Sequence, residues 1–271
     1  MSAELPTTLY HYTTGAGLRG ILQSNSLWLT EYQYLNDSTE LEYGRTLAID
    51  VAGTACGQTQ EERRNLLDRL SNEVRSPEIH CFMSCFCETD DLLSQWRGYS
   101  KGTMGYSIGF RVATLASDQD VDLLPVVYDK EEQRNLLQSA IQSWQIAEGR
   151  SDVFERIEGG DKLLSAVIRC KNPSFFEEQE WRLVYAWNGW RPGTGPLGRK
   201  FRDTDKFMAS YLEYGLPTID GLWCKKTLHL DSIRCGPSAE PEKARASLQT
   251  YLWENGYKDV NVYSSEVPLR W

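Results

Sequence analysis

The chain has 271 residues, 41% hydrophobic and 25% charged, the composition of an ordinary water-soluble globular protein. At about 100–200 residues per domain it makes one large domain or two modest ones, and a chain of this length folds without needing a metal or disulfide as a staple. With 29 Lys+Arg against 38 Asp+Glu the net charge is −9, which excludes the whole-surface attraction of a DNA-coating protein; no run of about 18 apolar residues spans a membrane.

In chain order, Leu9–Tyr12 reads as a strand, and Gly15 to Ser24 as a short helix carrying Leu18, Ile21 and Leu22. Leu27 to Thr30 is a second strand. Asn36-Asp37 starts a helix, with Asp37 and Glu40 forming a capping box. Glu61 to Val74 is a helix with Leu66, Leu67, Leu70 and Val74 on one face, ended by Pro77. Glu78 to Cys87 is a strand, Leu92 to Trp96 a helical turn, Gly105 to Phe110 a strand, and Val121 to Tyr128 a strand edged by Pro125. Asp129 and Glu132 cap a helix carrying Leu136, Ile141 and Trp144, and a further helix runs from Asp161 to Cys170.

Glu180 to Trp187 is a strong strand. Asn188 to Lys206 reads as a Gly/Pro/Arg-rich loop, long enough to be functional. Phe207–Tyr214, Leu222–Leu230 and Ser232–Cys235 are strand-like. A helix from Glu240 to Glu254 closes on Asn255-Gly256, a left-handed cap, and Val260–Tyr263 is the last strand. The expected class is α+β: a central mixed or antiparallel sheet in one domain over 1–271, with a helical insertion at about 130–172.

Seven cysteines, with no basic or apolar leader at Met1 to Pro6, point to reduced thiols in the cytoplasm. His80, Cys81, Cys85 and Cys87 raise zinc. The C-x3-C-x-C spacing lacks a second ligand pair, so buried apolar cysteines on one strand face are the better reading, and no stoichiometric zinc or disulfide is expected. Cys56, Cys170, Cys224 and Cys235 stand alone.

Three features carry candidate chemistry. His11 sits in the first strand; such a histidine is more often a structural hydrogen-bonder than a functional group. In Phe175-Phe-Glu-Glu178-Gln-Glu180-Trp-Arg182, Glu178, Glu180 and Arg182 share one face of an extended chain, with about 7 Å between alternate residues, and tune one another's ionisation. A solvated strand end with a simple ion pair competes evenly with a site. Ser84, Trp96 and Tyr99 fall between Phe82 and Phe110; Trp96 and Tyr99 share a helix face and suit either a flat ligand ring or the core, the core being the stronger reading for Trp96.

Together these residues resemble a bacterial family, domain of unknown function 2971. The resemblance is carried by Leu9-Tyr-His-Tyr-Thr, Leu27-Trp-Leu-Thr with Leu35-Asn-Asp and Glu40, Cys85-Phe-Cys-Glu with Trp96-Arg-Gly-Tyr and Gly105-Tyr-Ser-Ile-Gly-Phe, Glu178-Gln-Glu-Trp-Arg, and Ile233-Arg-Cys-Gly-Pro. More distantly, the His-x-Thr strand, small helix and second strand resemble the opening of ADP-ribosyltransferases related to diphtheria toxin, poly-ADP-ribose polymerases and DNA-modifying toxins. Glu-x-Glu on a late strand is similar to the arginine-modifying branch. The chain mixes the two patterns.

That likeness implies an ADP-ribosyltransferase with NAD as substrate and no metal. Glu180 would bond the ribose 2′-hydroxyl and Glu178 prepare the acceptor. His11, Tyr12, Thr13, Ser84, Trp96 and Arg182 would hold NAD, with Tyr32, Tyr34 or Tyr99 stacking on nicotinamide. A carboxylate at the 2′-hydroxyl gains strength as the sugar becomes oxocarbenium-like. Arg191, Arg199, Lys200, Arg202 and Lys206 would meet NAD phosphates or an anionic acceptor. The expected role is a bacterial toxin or anti-phage defence effector that modifies a protein or nucleic acid, with an antitoxin or regulatory protein as a further partner. The alternatives are a non-catalytic nucleotide- or partner-sensing module of the same fold and an NAD glycohydrolase. A metal-dependent hydrolase using Glu178, Glu180 and Asp90/Asp91 is the weakest reading. The transferase reading requires His11 and Glu180 to face one cleft from adjacent strands.

Overall fold

The computed structural model describes residues 5–35, 39–54, 59–75, 79–100, 104–116, 121–188, 198–204, 207–216, 218–220 and 226–268. Strand β1 (Thr8–Thr14) leads into α1 (Gly15–Ser24), β2 (Ser26–Glu31), α2 (Thr39–Thr54) and α3 (Gln60–Val74). Then follow β3 (Ile79–Cys87), α4 (Leu93–Tyr99), β4 (Gly105–Arg111), α5 (Val112–Leu115) and β5 (Asp122–Pro125). The helices α6 (Lys130–Glu148) and α7 (Val153–Arg169) precede β6 (Glu180–Asn188), β7 (Lys200–Asp203) and β8 (Met208–Gly215). The chain continues through β9 (Thr218–Asp220), β10 (Lys226–Leu228), β11 (Leu230–Cys235), α8 (Pro241–Glu254) and β12 (Asn261–Ser264). The α+β class is as expected. No helix among the described residues is long and apolar enough to cross a membrane.

Local chemistry explains most boundaries. Thr14 caps α1 by accepting from Gly17 N, and Asn25 closes it at φ 52°. Thr59 and Glu62 form a reciprocal capping box on α3. Asp129 accepts from the amides of Glu131 and Glu132 at the start of α6. Gly256 adopts φ 91° just after α8, the left-handed conformation expected there.

Three expectations change. The second insertion helix begins at Val153 rather than Asp161, capped by Asp152; Gly159 and Gly160 masked its first half. Lys200–Asp203, read as loop, is a strand paired with β8. Leu222–Leu230, read as one strand, is β10 followed by the start of β11, with 221–225 outside the described residues. The Asp37 cap, Pro77, Cys56, Cys224, Arg191 and Lys206 also lie outside them.

The ten-stranded mixed sheet runs β12-β11-β4-β1-β3-β2-β8-β7, with β6 on the other edge of β3 and β5 beyond it. Only β11 and β12 among these pairs run parallel. Strand β3 pairs with β6 along its whole length. Its other edge is divided. There β1 meets it at Tyr10↔Cys87 and β2 at Thr30↔Met83 and Glu31↔Phe82. The two partners diverge around α1, leaving a notch at Ser84–Phe86.

Each face of the sheet carries a core. On one, Leu9, Phe82, Phe86, Ile108, Trp181 and Leu212 pack with α1 and α8. On the other, Met83 and Val184 pack with α2, α3, α6 and α7. Opposed residues in an antiparallel pair share a face, so the parity of β1, β3 and β6 decides what each side chain meets.

Candidate functional site

Glu180, Arg182 and Val184 face the four-helix side, opposite Cys87, Cys85 and Met83 of β3. The Arg182 side chain is 2% exposed. Its Nε donates to Glu180 Oε1 at 2.7 Å, its NH1 to the Ile168 carbonyl at 2.6 Å, and its NH2 to Glu40 Oε2 and to Glu180 Oε2 at 3.2 Å. Lys171, 4% exposed, donates Nζ to Glu178 Oε2 at 2.6 Å and Glu180 Oε2 at 2.6 Å, and lies 2.8 Å from Glu40 Oε1. Three carboxylates thus meet two cations, tying α2, the chain after α7 and β6 into one buried cluster.

The electrostatics follow from this packing. Burial works to raise the Glu180 pKa, but Arg182 and then Lys171 more than reverse it, holding the carboxyl at about 2. Burial raises Glu40 above its ordinary value despite Arg182. Lys171 and Arg182 are both raised: burial works against their charges, and Glu180 overcomes it.

Glu178 does not extend the strand as expected. It ends a 3-10 turn, Pro173–Glu178, and Gln179 at φ 41° separates it from β6. Glu178 and Glu180 converge instead on one ammonium group. Above the cluster, Tyr10, Tyr12, Gln95, Tyr99, Glu178 and Glu180 line a pocket of about 240 Å³ of empty space, open solvent included. Its enclosed part has room for about one water. Ligand sites typically span roughly 300–1,000 Å³, so as it stands the pocket does not take a whole dinucleotide.

Tyr12 and Tyr99 therefore stand beside the acids. The Tyr12 hydroxyl donates to the Thr89 carbonyl at 2.8 Å and accepts from Leu92 N at 2.9 Å, fixing the loop that forms one wall. Trp96 is core, 3% exposed, edge-on to Tyr12 at 4.7 Å, with Nε1 donating to Asp91 at 2.8 Å. Gly236, in the closing Cys-Gly-Pro motif, lies where an added Cβ would come within 3.1 Å of Trp96.

His11 overturns an expectation. It is separated from β6 by β3 and lies on the opposite sheet face from Glu180, its ring 5.6 Å from Phe86 and 3.5 Å from the Ser84 hydroxyl. Parity forces this: Tyr10 is paired with Cys87, and Cys87 with Glu180, so the alternate residue His11 points away. Its Nδ1–H donates to the Cys85 carbonyl at 3.0 Å, filling the notch in the sheet edge. Burial lowers its pKa against that bond, so the ring is neutral at pH 7. Ser84 and Thr13 belong to this second face as well. Tyr34 does not line the pocket; its ring lies 5.4 Å from Phe207.

The sequence reading missed Lys171, Glu40, Tyr10 and Gln95 as site residues. Glu40 reads in the sequence as part of a helix cap, and nothing local marks a lysine after a helix as buried. Cys81, Cys85 and Cys87 do share the strand face expected of them. Cys81 and Cys87 are buried and their thiols raised by burial to about 12 and about 11; Cys85, partly exposed, is raised well above 9.0. All three should resist a thiol reagent at pH 8 in the native protein and react fully once unfolded. Residue-resolved mass spectrometry checks this, and rapid native labelling of Cys85, which also lines the pocket, would show the pocket to be open.

Comparison with known proteins adds one finding. The family described as protein of unknown function (DUF2971) matches residues 95–183. That stretch runs from Gln95 through β4, the insertion helices and the start of β6, so it contains Tyr99, Lys171, Glu178, Glu180 and Arg182 but neither β1 nor Glu40. No curated protein and no solved structure matches the chain.

Proposed function

We propose that the chain is a non-catalytic recognition module that senses the ring-bearing end of a nucleotide-derived ligand such as NAD in the pocket above Glu178. The observation that carries this is the commitment of Glu180: both oxygens are held by Lys171 and Arg182. A carboxylate so engaged fixes the fold rather than awaiting a ribose hydroxyl. The separation of His11 from Glu180 removes the other half of the transferase constellation.

The pocket chemistry suits a flat, cationic or uncharged ring. Three tyrosines offer faces, Gln95 offers both donor and acceptor, and three carboxylates against two cations leave a negative excess. The pyridinium of NAD meets that description; its phosphates do not and would stay outside. Entry requires the Pro173–Glu178 turn to swing outward, where Phe175 and Phe176 are exposed.

The second reading, NAD cleavage with transfer or hydrolysis, keeps one observation in its favour: Glu178 and Glu180 line the same pocket as Tyr10, Tyr12 and Tyr99. Calorimetry with NAD, beside chromatographic detection of free nicotinamide, separates the two. The expected result is saturable binding, weakened about tenfold or more in Tyr99→Ala, with nicotinamide released no faster than in buffer. Turnover that disappears in a folded Glu178→Gln protein would replace this reading with the enzymatic one. Absence of binding would overturn both.

A further inference from the structure

A separate cluster lies on the four-helix side of β2. Trp28 and Thr30 share that face with Tyr211 of β8 and Arg202 of β7, and Tyr32 follows directly. Two guanidinium groups stand along this row, and neither has a carboxylate within ion-pair reach among the described residues. Arg45, on α2, is 8% exposed; it makes a 3.3 Å bond from NH2 to the Tyr32 hydroxyl and lies over that ring at 5.1 Å, and its Nε is buried with no partner. Arg202 lies over the Trp28 ring at 5.4 Å and donates NH2 to Thr30 Oγ1 at 3.1 Å, and its Nε is likewise buried and unpartnered. The neighbouring charges cancel, Lys200 pairing with Glu213 at 2.6 Å.

Arg45 is buried and Arg202 half-buried, and holding guanidinium groups out of water without a counter-charge is unfavourable. In a chain of net charge −9, two such groups in a row mark a place kept for an anion. The aromatic component is equally specific. Trp28 is 41% exposed although it lies on a sheet, and its ring is held against Tyr211 with centroids 4.4 Å apart. With Tyr211 and Arg202 already against the indole, a second flat ring would stack on the part of it that remains exposed.

We propose that Arg45, Arg202 and Trp28 form a binding site for a nucleoside phosphate, the phosphate lying between the two guanidiniums and the base stacking on Trp28. Guanidinium forks match phosphate oxygens in shape and charge, and an anion there supplies the missing counter-charge. None of the three residues lines the Glu178 pocket, whose acids repel phosphate, and the site does not depend on what that pocket binds.

The test is thermal melting with ADP, with inorganic pyrophosphate, and with sodium chloride at matched ionic strength, alongside Trp fluorescence. ADP should raise Tm saturably where chloride does not. Arg202→Met should weaken that response about tenfold or more, while leaving the ligand-free Tm unchanged or higher, because an unpaired charge is removed. Trp28→Leu should remove the fluorescence quench by ADP and leave the pyrophosphate response intact. Arg45→Met tests the inner group, with Arg45→Lys as the variant that keeps the charge if the first fails to fold. No saturable rise beyond chloride, or the same rise in Arg202→Met as in wild type, would overturn the anion site. Equal affinity for pyrophosphate and ADP would overturn the base-stacking half.

Discussion

Lys171→Met is expected to cost about 3–5 kcal/mol of stability at neutral pH, because it takes the ammonium from Glu178 and leaves Glu40 and Glu180 to share one guanidinium in a buried cluster. For a chain of this length that lowers Tm by roughly 6–20 °C. The cluster also sets the acid limb of stability. Glu180 has a folded pKa of about 2 against an ordinary 4.5, so its contribution is fully present above 4.5 and is lost as pH falls toward 2. Glu40 has the opposite sign: its raised pKa makes its charge a cost at neutral pH, which is relieved as pH falls through that value. Denaturant melts across that range should show wild type losing stability steeply between pH 4.5 and 2, and Glu180→Gln starting lower but falling less. A wild-type curve flat over those pH values, or an unchanged Tm in Lys171→Met, would show that the cluster does not hold the fold.

Gly44→Ala should destabilise by about 1–3 kcal/mol, despite alanine's better helix propensity. Gly44 lies in α2 where α7 crosses it, and an added Cβ would run into the Val167 carbonyl oxygen, a backbone atom that cannot rotate aside. Gly20→Ala in α1 is the control with the opposite sign. Its Cβ would have nothing within 4 Å, so it should stabilise by up to about 1 kcal/mol. Urea midpoints for both variants decide the matter; matching signs would mean that the α2–α7 contact is not close.

What could be read in advance followed from local rules. The cap at Asp129, the left-handed Gly256 and the buried face of β3 all depend on residues a few positions apart. The convergence of Glu180 and Arg182 came from strand parity alone. What escaped reading depends on distance or on charge. Glu40 reaches Arg182 across 142 residues, and no spacing rule announces such a contact. Lys200-Phe-Arg-Asp looks like a loop because three of its four residues are charged, yet β8 beside it makes it a strand. The same parity that joined Glu180 to Arg182 would have set His11 on the other face, had Tyr10 been registered against Cys87. The likeness to transferases pointed elsewhere.

The α6–α7 excursion has a narrow neck. Val127 and Cys170 form a parallel bridge, and Gln133, fully buried, donates its Nε2 to the carbonyls of Val127 at 2.7 Å and Lys171 at 2.6 Å. The two ends of the excursion, Val127 and Cys170, are thereby stapled side by side, next to the lysine that serves the acidic cluster. An appendage hinged on such a neck could open and close independently of its parent. Here the neck and the cluster share Lys171, so α6, α7 and β6 should behave as one cooperative unit, with amide protons that exchange together through a common opening rather than helix by helix.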